Sequence, residues 1–159
     1  MFIKKSDNAY NQKNIEMTLD VMSNSLIYWV QSAYNNKLFN NGSQIIAMTS
    51  AGGRKQWLSY GAISMAKSAL ESGCRQLAIE LASSNIAVNA IQAGVTDTPA
   101  LRKIPESNIM INKVLESHPC GRLTAPEDIA KVVALIGLNK ETWMTGNVIR
   151  VDGGEDIIG

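Results

Sequence analysis

Three short apolar runs dictate most of what this chain can become: Gln44-Ile45-Ile46-Ala47-Met48-Thr49, Ile86-Ala87-Val88-Asn89-Ala90-Ile91 and Asn147-Val148-Ile149-Arg150-Val151. Runs this short and this apolar suit strands buried on both faces. Between and before them the period changes. From about Asn14 to Leu38, apolar residues recur at Ile15, Leu19, Met22, Leu26, Val30 and Ala33, in helical steps, until Asn40-Asn41-Gly42 breaks the pattern. A second helix is predicted from about Leu58 to Ser83, with Ile63, Leu70, Cys74, Leu77 and Leu81 on its apolar side. A third starts at Pro126-Glu127-Asp128, where Thr124 or Ala125 would cap it and the acids favour its positive end. Helix and strand in strict alternation imply an α/β fold, a parallel sheet with covering helices.

Ligands of such sheets bind at the carboxyl ends of the strands. Here those ends are Ser50, followed by Ala51-Gly52-Gly53, and the loop Gln92-Ala93-Gly94-Val95-Thr96-Asp97-Thr98-Pro99. Both loops are expected to face one crevice, with Tyr60 at the start of the second helix beside them. Tyr60 and Lys67 are seven residues apart. On one helix they would project from one face, and an ammonium near a phenol favours the phenolate. The result would be an acid able to protonate a carbonyl or enolate oxygen. An isolated pair at that spacing would equally describe a buried tyrosine beside a solvated lysine.

Composition narrows the alternatives. A length of 159 residues is one domain with room for a core. The net charge of +1 offers no footprint for nucleic acid or an anionic membrane. No apolar run approaches a membrane span, and the Met1-Phe2-Ile3-Lys4-Lys5 start lacks a following signal region. Cys74 and Cys120 show neither metal nor disulfide spacing, so a reduced, cytoplasmic protein is expected. His118 is the only histidine, which leaves histidine triads and multi-histidine metal sites little support. Trp29, Trp57 and Trp143 are assigned to core or subunit contact.

From about residue 14 onward the chain resembles the second half of a short-chain dehydrogenase/reductase. The resemblance is carried by Ser50-Ala51-Gly52-Gly53, the Tyr60/Lys67 helix, the run from Asn89 to Thr98, Pro119-Cys120-Gly121-Arg122-Leu123, and the run from Thr145 to Gly154. Most of the superfamily spaces its tyrosine and lysine more closely, which would put the phenol at position 63; this chain has Ile63 there. The wider interval is similar to that of the bacterial enoyl-acyl-carrier-protein reductases. Thr96-Asp97-Thr98-Pro99-Ala100-Leu101 resembles their NADPH-using branch in bacilli.

That resemblance implies a Rossmann-like, doubly wound parallel sheet, and roles for its residues. Tyr60 would serve the substrate oxygen. Lys67 would hold the nicotinamide ribose and act on Tyr60. Ser50 would sit beside the substrate carbonyl, and Gly94, Val95, Thr96 and Thr98 would read the nicotinamide carboxamide of NADPH or NADH. Ala51 stands where the family usually carries a second tyrosine or similar bulky residue. Residues 100–118 would form a substrate flap, with Leu101, Ile104, Ile109, Met110 and Ile111 suited to an acyl chain or, equally, to local core. The remaining divisions are a leader at 1–13, a catalytic core at 14–99 and a C-terminal helix and strand at 119–159. The implied substrate is an acyl-carrier-protein thioester, and the helices at 14–38 and 58–83 imply a homo-oligomer. The glycine-rich turn that holds a pyrophosphate is not found before residue 14, so the chain is expected to be the C-terminal half of such a fold and to bind dinucleotide poorly alone. Alternatives are another short-chain reductase of a ketone or dienoyl thioester, and a non-catalytic remnant acting through oligomerisation.

Overall fold

The computed structural model describes residues 2, 9–103 and 107–158. The first predicted helix is two helices joined by a wide turn. α1 (Gln12–Leu19) begins inside the expected leader because Asn11 and Asn14 cap it reciprocally: each side-chain oxygen accepts the other's backbone N–H, at 2.9 and 3.3 Å. A π-type turn over Asp20–Asn24 leads into α2 (Ser25–Asn35). Ser25 Oγ donates to the Val21 carbonyl at 2.7 Å across this turn, a side-chain bond of the kind that loosens the helical ladder.

The three apolar runs become β1 (Gln44–Ser50), β2 (Ala87–Ala93) and β3 (Val148–Val151), hydrogen-bonded in that order and all parallel. Ile45 lies opposite Val88, Ala47 opposite Ala90, and Ala90 in turn opposite Val148. Between the strands run α3 (Gly61–Leu81), α4 (Ser107–Ser117) and α5 (Pro126–Leu138). α2 and α3 cover one face of the sheet. There Val30, Leu70, Cys74, Leu77 and Leu81 pack on Ile45, Ala47, Val88 and Ala90. α5 covers the other face, where Ile129 and Ile136 meet Ile91, Ile46 and Ile149. Complete burial of one such side chain contributes about 1.5–3 kcal/mol. The layers are helix, sheet, helix: a doubly wound α/β arrangement, as the alternation implies.

Small and polar residues set the fit. Gly73 lets Ile27 Cδ1 approach α3, since a Cβ there would lie 3.3 Å from it. Asn89, fully buried in β2, donates to the Met144 carbonyl at 2.7 Å and accepts the Asn147 N–H at 3.1 Å, which aligns the entry to β3. At α5 the cap position falls to Ala125, and Asp128 takes its N–H at 2.9 Å. Thr124 instead bridges to Thr96 and donates its N–H to the Val95 carbonyl at 3.1 Å. That bridge fixes the loop after β2, which is where the site lies.

Candidate active site

α3 starts at Gly61, three residues later than the periodicity suggests, and the delay decides where Tyr60 points. Ser59 takes a left-handed φ of 64°, and its carbonyl accepts the Tyr10 hydroxyl at 2.5 Å. Tyr60 then occupies the cap position at φ −106°, ψ 2°, and its carbonyl accepts the Ser64 N–H at 2.9 Å. Its ring lies edge-on to Trp57, with centroids 6.1 Å apart, and against Gly52. A Cβ at Gly52 would run into Tyr60 Cε1 and sit 3.2 Å from Ser50 Oγ, so a side chain there would separate phenol ring and serine.

Ser50, Ala51, Tyr60, Gly94, Val95, Thr96, Thr98 and Leu101 line one cavity of about 330 Å³ at the carboxyl ends of β1 and β2. Eight of the sequence-predicted residues therefore meet at the expected crevice. Ser50 Oγ is buried there with no hydrogen-bond partner among the described residues. An orphaned buried hydroxyl costs roughly 1–3 kcal/mol unless something bonds to it, so this oxygen has hydrogen-bonding capacity to spare. Met110 of α4 also lines the cavity, whereas Ile109 is exposed to solvent. Ile104 lies outside the described residues.

Lys67 does not line the cavity. Its Nζ donates to the Met48 carbonyl at 2.8 Å, and among the described residues no hydrogen bond joins it to Tyr60. Burial lowers the affinity of its amine for the proton, opposed by the Glu71 carboxylate. Glu71 is itself buried and accepts the Thr49 hydroxyl at 2.6 Å.

Gly94 has no room for a side chain: a Cβ would meet Thr124 Oγ1, Glu155 Oε2 at 2.8 Å and Asp152 Cβ at 3.1 Å. Sequence reasoning missed Glu155, which lines the cavity from the turn after β3 and accepts the Val95 N–H at 2.8 Å. Its place directly after Asp152-Gly153-Gly154 was the available signal, since that turn closes toward the other strand ends. Trp57, assigned to core or subunit contact, lines the cavity too. His118, in the loop after α4, is buried: Nδ1 accepts the Cys120 N–H at 3.0 Å and Nε2 lies 3.0 Å from the Asp152 carbonyl. Among the described residues no cluster of His, Cys, Asp and Glu is arranged to hold a metal ion, and no helix is long and apolar enough to cross a membrane.

The chain is 31% identical over 147 residues to the NADH enoyl-[acyl-carrier-protein] reductase FabI of Rickettsia felis, covering 92% of this chain and 56% of that one. It thus spans about half the length of the curated relatives it matches. Two solved structures superpose on 94% of it. One is the enoyl-acyl carrier protein reductase of Bacillus cereus with NADP+ and indole naphthyridinone, at TM-score 0.86, 26% identity and 57% of its chain. The other is the angucycline C-6 ketoreductase LanV with bound NADP, at TM-score 0.82, 27% identity and 56% of its chain. A sequence model described as enoyl-(acyl carrier protein) reductase extends from residue 3 to residue 155, and a match of that extent means the chain belongs to the enoyl-(acyl carrier protein) reductase family.

Proposed function

We propose that this chain forms the substrate-facing half of a reductase that saturates the enoyl double bond of an acyl-carrier-protein thioester with NADPH or NADH. The observation that carries this reading is the unpartnered, buried Ser50 Oγ, which shares one cavity with Tyr60. A substrate carbonyl oxygen would complete that hydroxyl's hydrogen bonding. Tyr60 would then donate to the same oxygen, because its ring already lies over Gly52 on the Ser50 side.

The residues fit the nicotinamide end of such a cofactor. Gly94 keeps the backbone bare, and Val95, Thr96 and Thr98 line the cavity. Only this end of the cofactor is assigned to these residues. When bound, the dinucleotide supplies a hydride to the β carbon. The work left to the protein is to hold the thioester carbonyl between Ser50 and Tyr60 and to stabilise the enolate charge that develops on its oxygen. Ala51, Leu101 and Met110 offer the acyl chain an apolar wall. Lys67, tied to Met48 through one of its three N–H donors, would offer another to the ribose.

Keto-group reduction is the second reading, favoured by the likeness to the LanV ketoreductase. It would use the same phenol to protonate the keto oxygen while the carbonyl carbon takes the hydride. The two are separated by assaying this chain with a trans-2-enoyl and a 3-keto thioester of acyl carrier protein and following consumption of NADPH and NADH. Turnover of the enoyl thioester that is lost in Tyr60→Phe supports the first reading; turnover of the keto thioester alone overturns it.

A further inference from the structure

Among the described residues Glu155 is the one acidic side chain lining the cavity, and the reading above gives it no task. It does not hang free. Asp152, buried, takes the Gly154 N–H at 3.0 Å and the Asp156 N–H at 3.3 Å on its carboxylate, and the Glu155 N–H at 3.1 Å on its carbonyl. Gly153 and Gly154, at φ 60° and 88°, make the bend that this pattern needs. The next residue, Asp156, is clamped by Arg54, by Lys55 at 2.8 Å, by Arg150 at 3.8 Å and by Gln92 at 2.9 Å. With both neighbours fixed, the Glu155 carboxylate is delivered to the Val95 N–H at 2.8 Å.

We propose that Glu155 is a built-in occupant of the Val95 amide and competes for that donor with any carboxamide-bearing ligand of the cavity, so that it sets which ligands enter and at what pH. The proposal rests on the reading that the 94–98 loop receives a carboxamide. A backbone N–H makes one good hydrogen bond. A bond to an ionised acceptor is roughly twice as strong as one to a neutral acceptor, so an amide oxygen loses to the carboxylate while Glu155 is charged. A ligand carboxylate at the same place fares worse, since it meets like charge. Protonation of Glu155 removes both disadvantages.

Among the described residues, the charged and titratable groups that act on Glu155 are His118, Asp152 and Lys55. Burial pushes its carboxyl above the usual range, opposed by the Val95 N–H, by His118 and by Lys55, while Asp152 adds to the rise. Affinity for a carboxamide therefore increases as pH falls through that raised range.

The experiment is an amide-resolved NMR titration of the full chain with nicotinamide and, separately, nicotinate. Without probe, the Val95 amide shift should follow the Glu155 carboxyl through pH, and that step should vanish in Glu155→Ala and Glu155→Gln. At neutral pH nicotinamide should move the Val95 resonance at a concentration about fivefold lower in Glu155→Ala than in the parent, a difference near 1 kcal/mol. Glu155→Gln, which keeps the size and a neutral acceptor, should fall between. Nicotinate should stay inert toward the parent and gain most from Glu155→Ala. Equal nicotinamide affinity in parent and Glu155→Ala overturns the competition, as does a Val95 pH step that persists in both variants. If the pH step behaves as expected but nicotinamide moves Val95 in neither protein, it is the carboxamide reading of the loop that falls, and the competition with it.

Discussion

Lys67 Nζ donates to the Met48 carbonyl at 2.8 Å, on a strand that forms the edge of the sheet among the described residues. An edge carbonyl lacks a strand partner, and the lysine supplies one. Burial lowers the pKa of this amine from its usual 10.5, with Glu71 opposing. Between the lowered value and 10.5 the unfolded chain binds more protons than the folded one, so stability rises with pH in that window. Below it the cost of burying the charge is present in full. Lys67→Met lacks this dependence. Urea denaturation of both proteins across the window should show the parent gaining on the variant as pH rises; a constant difference would mean that the amine is not buried.

Tyr60→Phe keeps the ring against Gly52 and Trp57 and removes only the hydroxyl. Enoyl-thioester turnover should drop by about 10²–10⁴, the usual contribution of a positioned acid. The circular dichroism spectrum and denaturation midpoint should stay close to those of the parent. A variant that loses its fold along with its turnover would mean that the hydroxyl is structural.

The alternation of helix and strand, the parallel sheet and the crevice at Ser50 and Gly94 were legible because they rest on apolar periodicity and turn chemistry, both local properties. Eight of the ten singled-out site residues line the crevice, and all of these but Tyr60, which caps α3, lie at the end of a strand or in the stretch after it. The start of α3 was not legible. Nothing in the apolar spacing of Leu58 and Ile63 reveals that Ser59 adopts a left-handed φ and holds Tyr60 at the cap. Lys67 was placed by helical phase, but phase gives direction and not reach, and a long flexible side chain goes to the nearest unpaired acceptor. Glu155 was missed because the contact with Val95 joins residues 60 apart in sequence through a turn whose geometry Asp152 dictates.

Gly94→Ala tests how tightly the strand ends close. The added methyl would press on the Thr124 hydroxyl, Glu155 and Asp152. Overpacking of this kind costs typically about 1–3 kcal/mol. The denaturation midpoint should fall accordingly, and the Thr124 and Val95 amide resonances should shift. An unchanged midpoint would show that the loop after β2 can spread.

The two cysteines should differ in reactivity. Cys74 is 1% exposed in the core between α3 and the sheet, and burial, aided by Glu71 and opposed by Arg75, pushes its thiol up to about 11. Only the thiolate is nucleophilic, so at pH 8 roughly one such thiol in a thousand is competent, before access is considered. Cys120 is exposed, and its Sγ lies 3.5 Å from the Gly153 carbonyl on the surface. A chromogenic thiol reagent should therefore consume one equivalent quickly in the folded protein, and a second only after denaturant is added. Cys120→Ser should abolish the fast equivalent and leave the slow one. Two fast equivalents in the parent would mean that α3 opens readily from the sheet, and the packing of Leu70, Cys74 and Leu77 would then be far weaker than their burial implies.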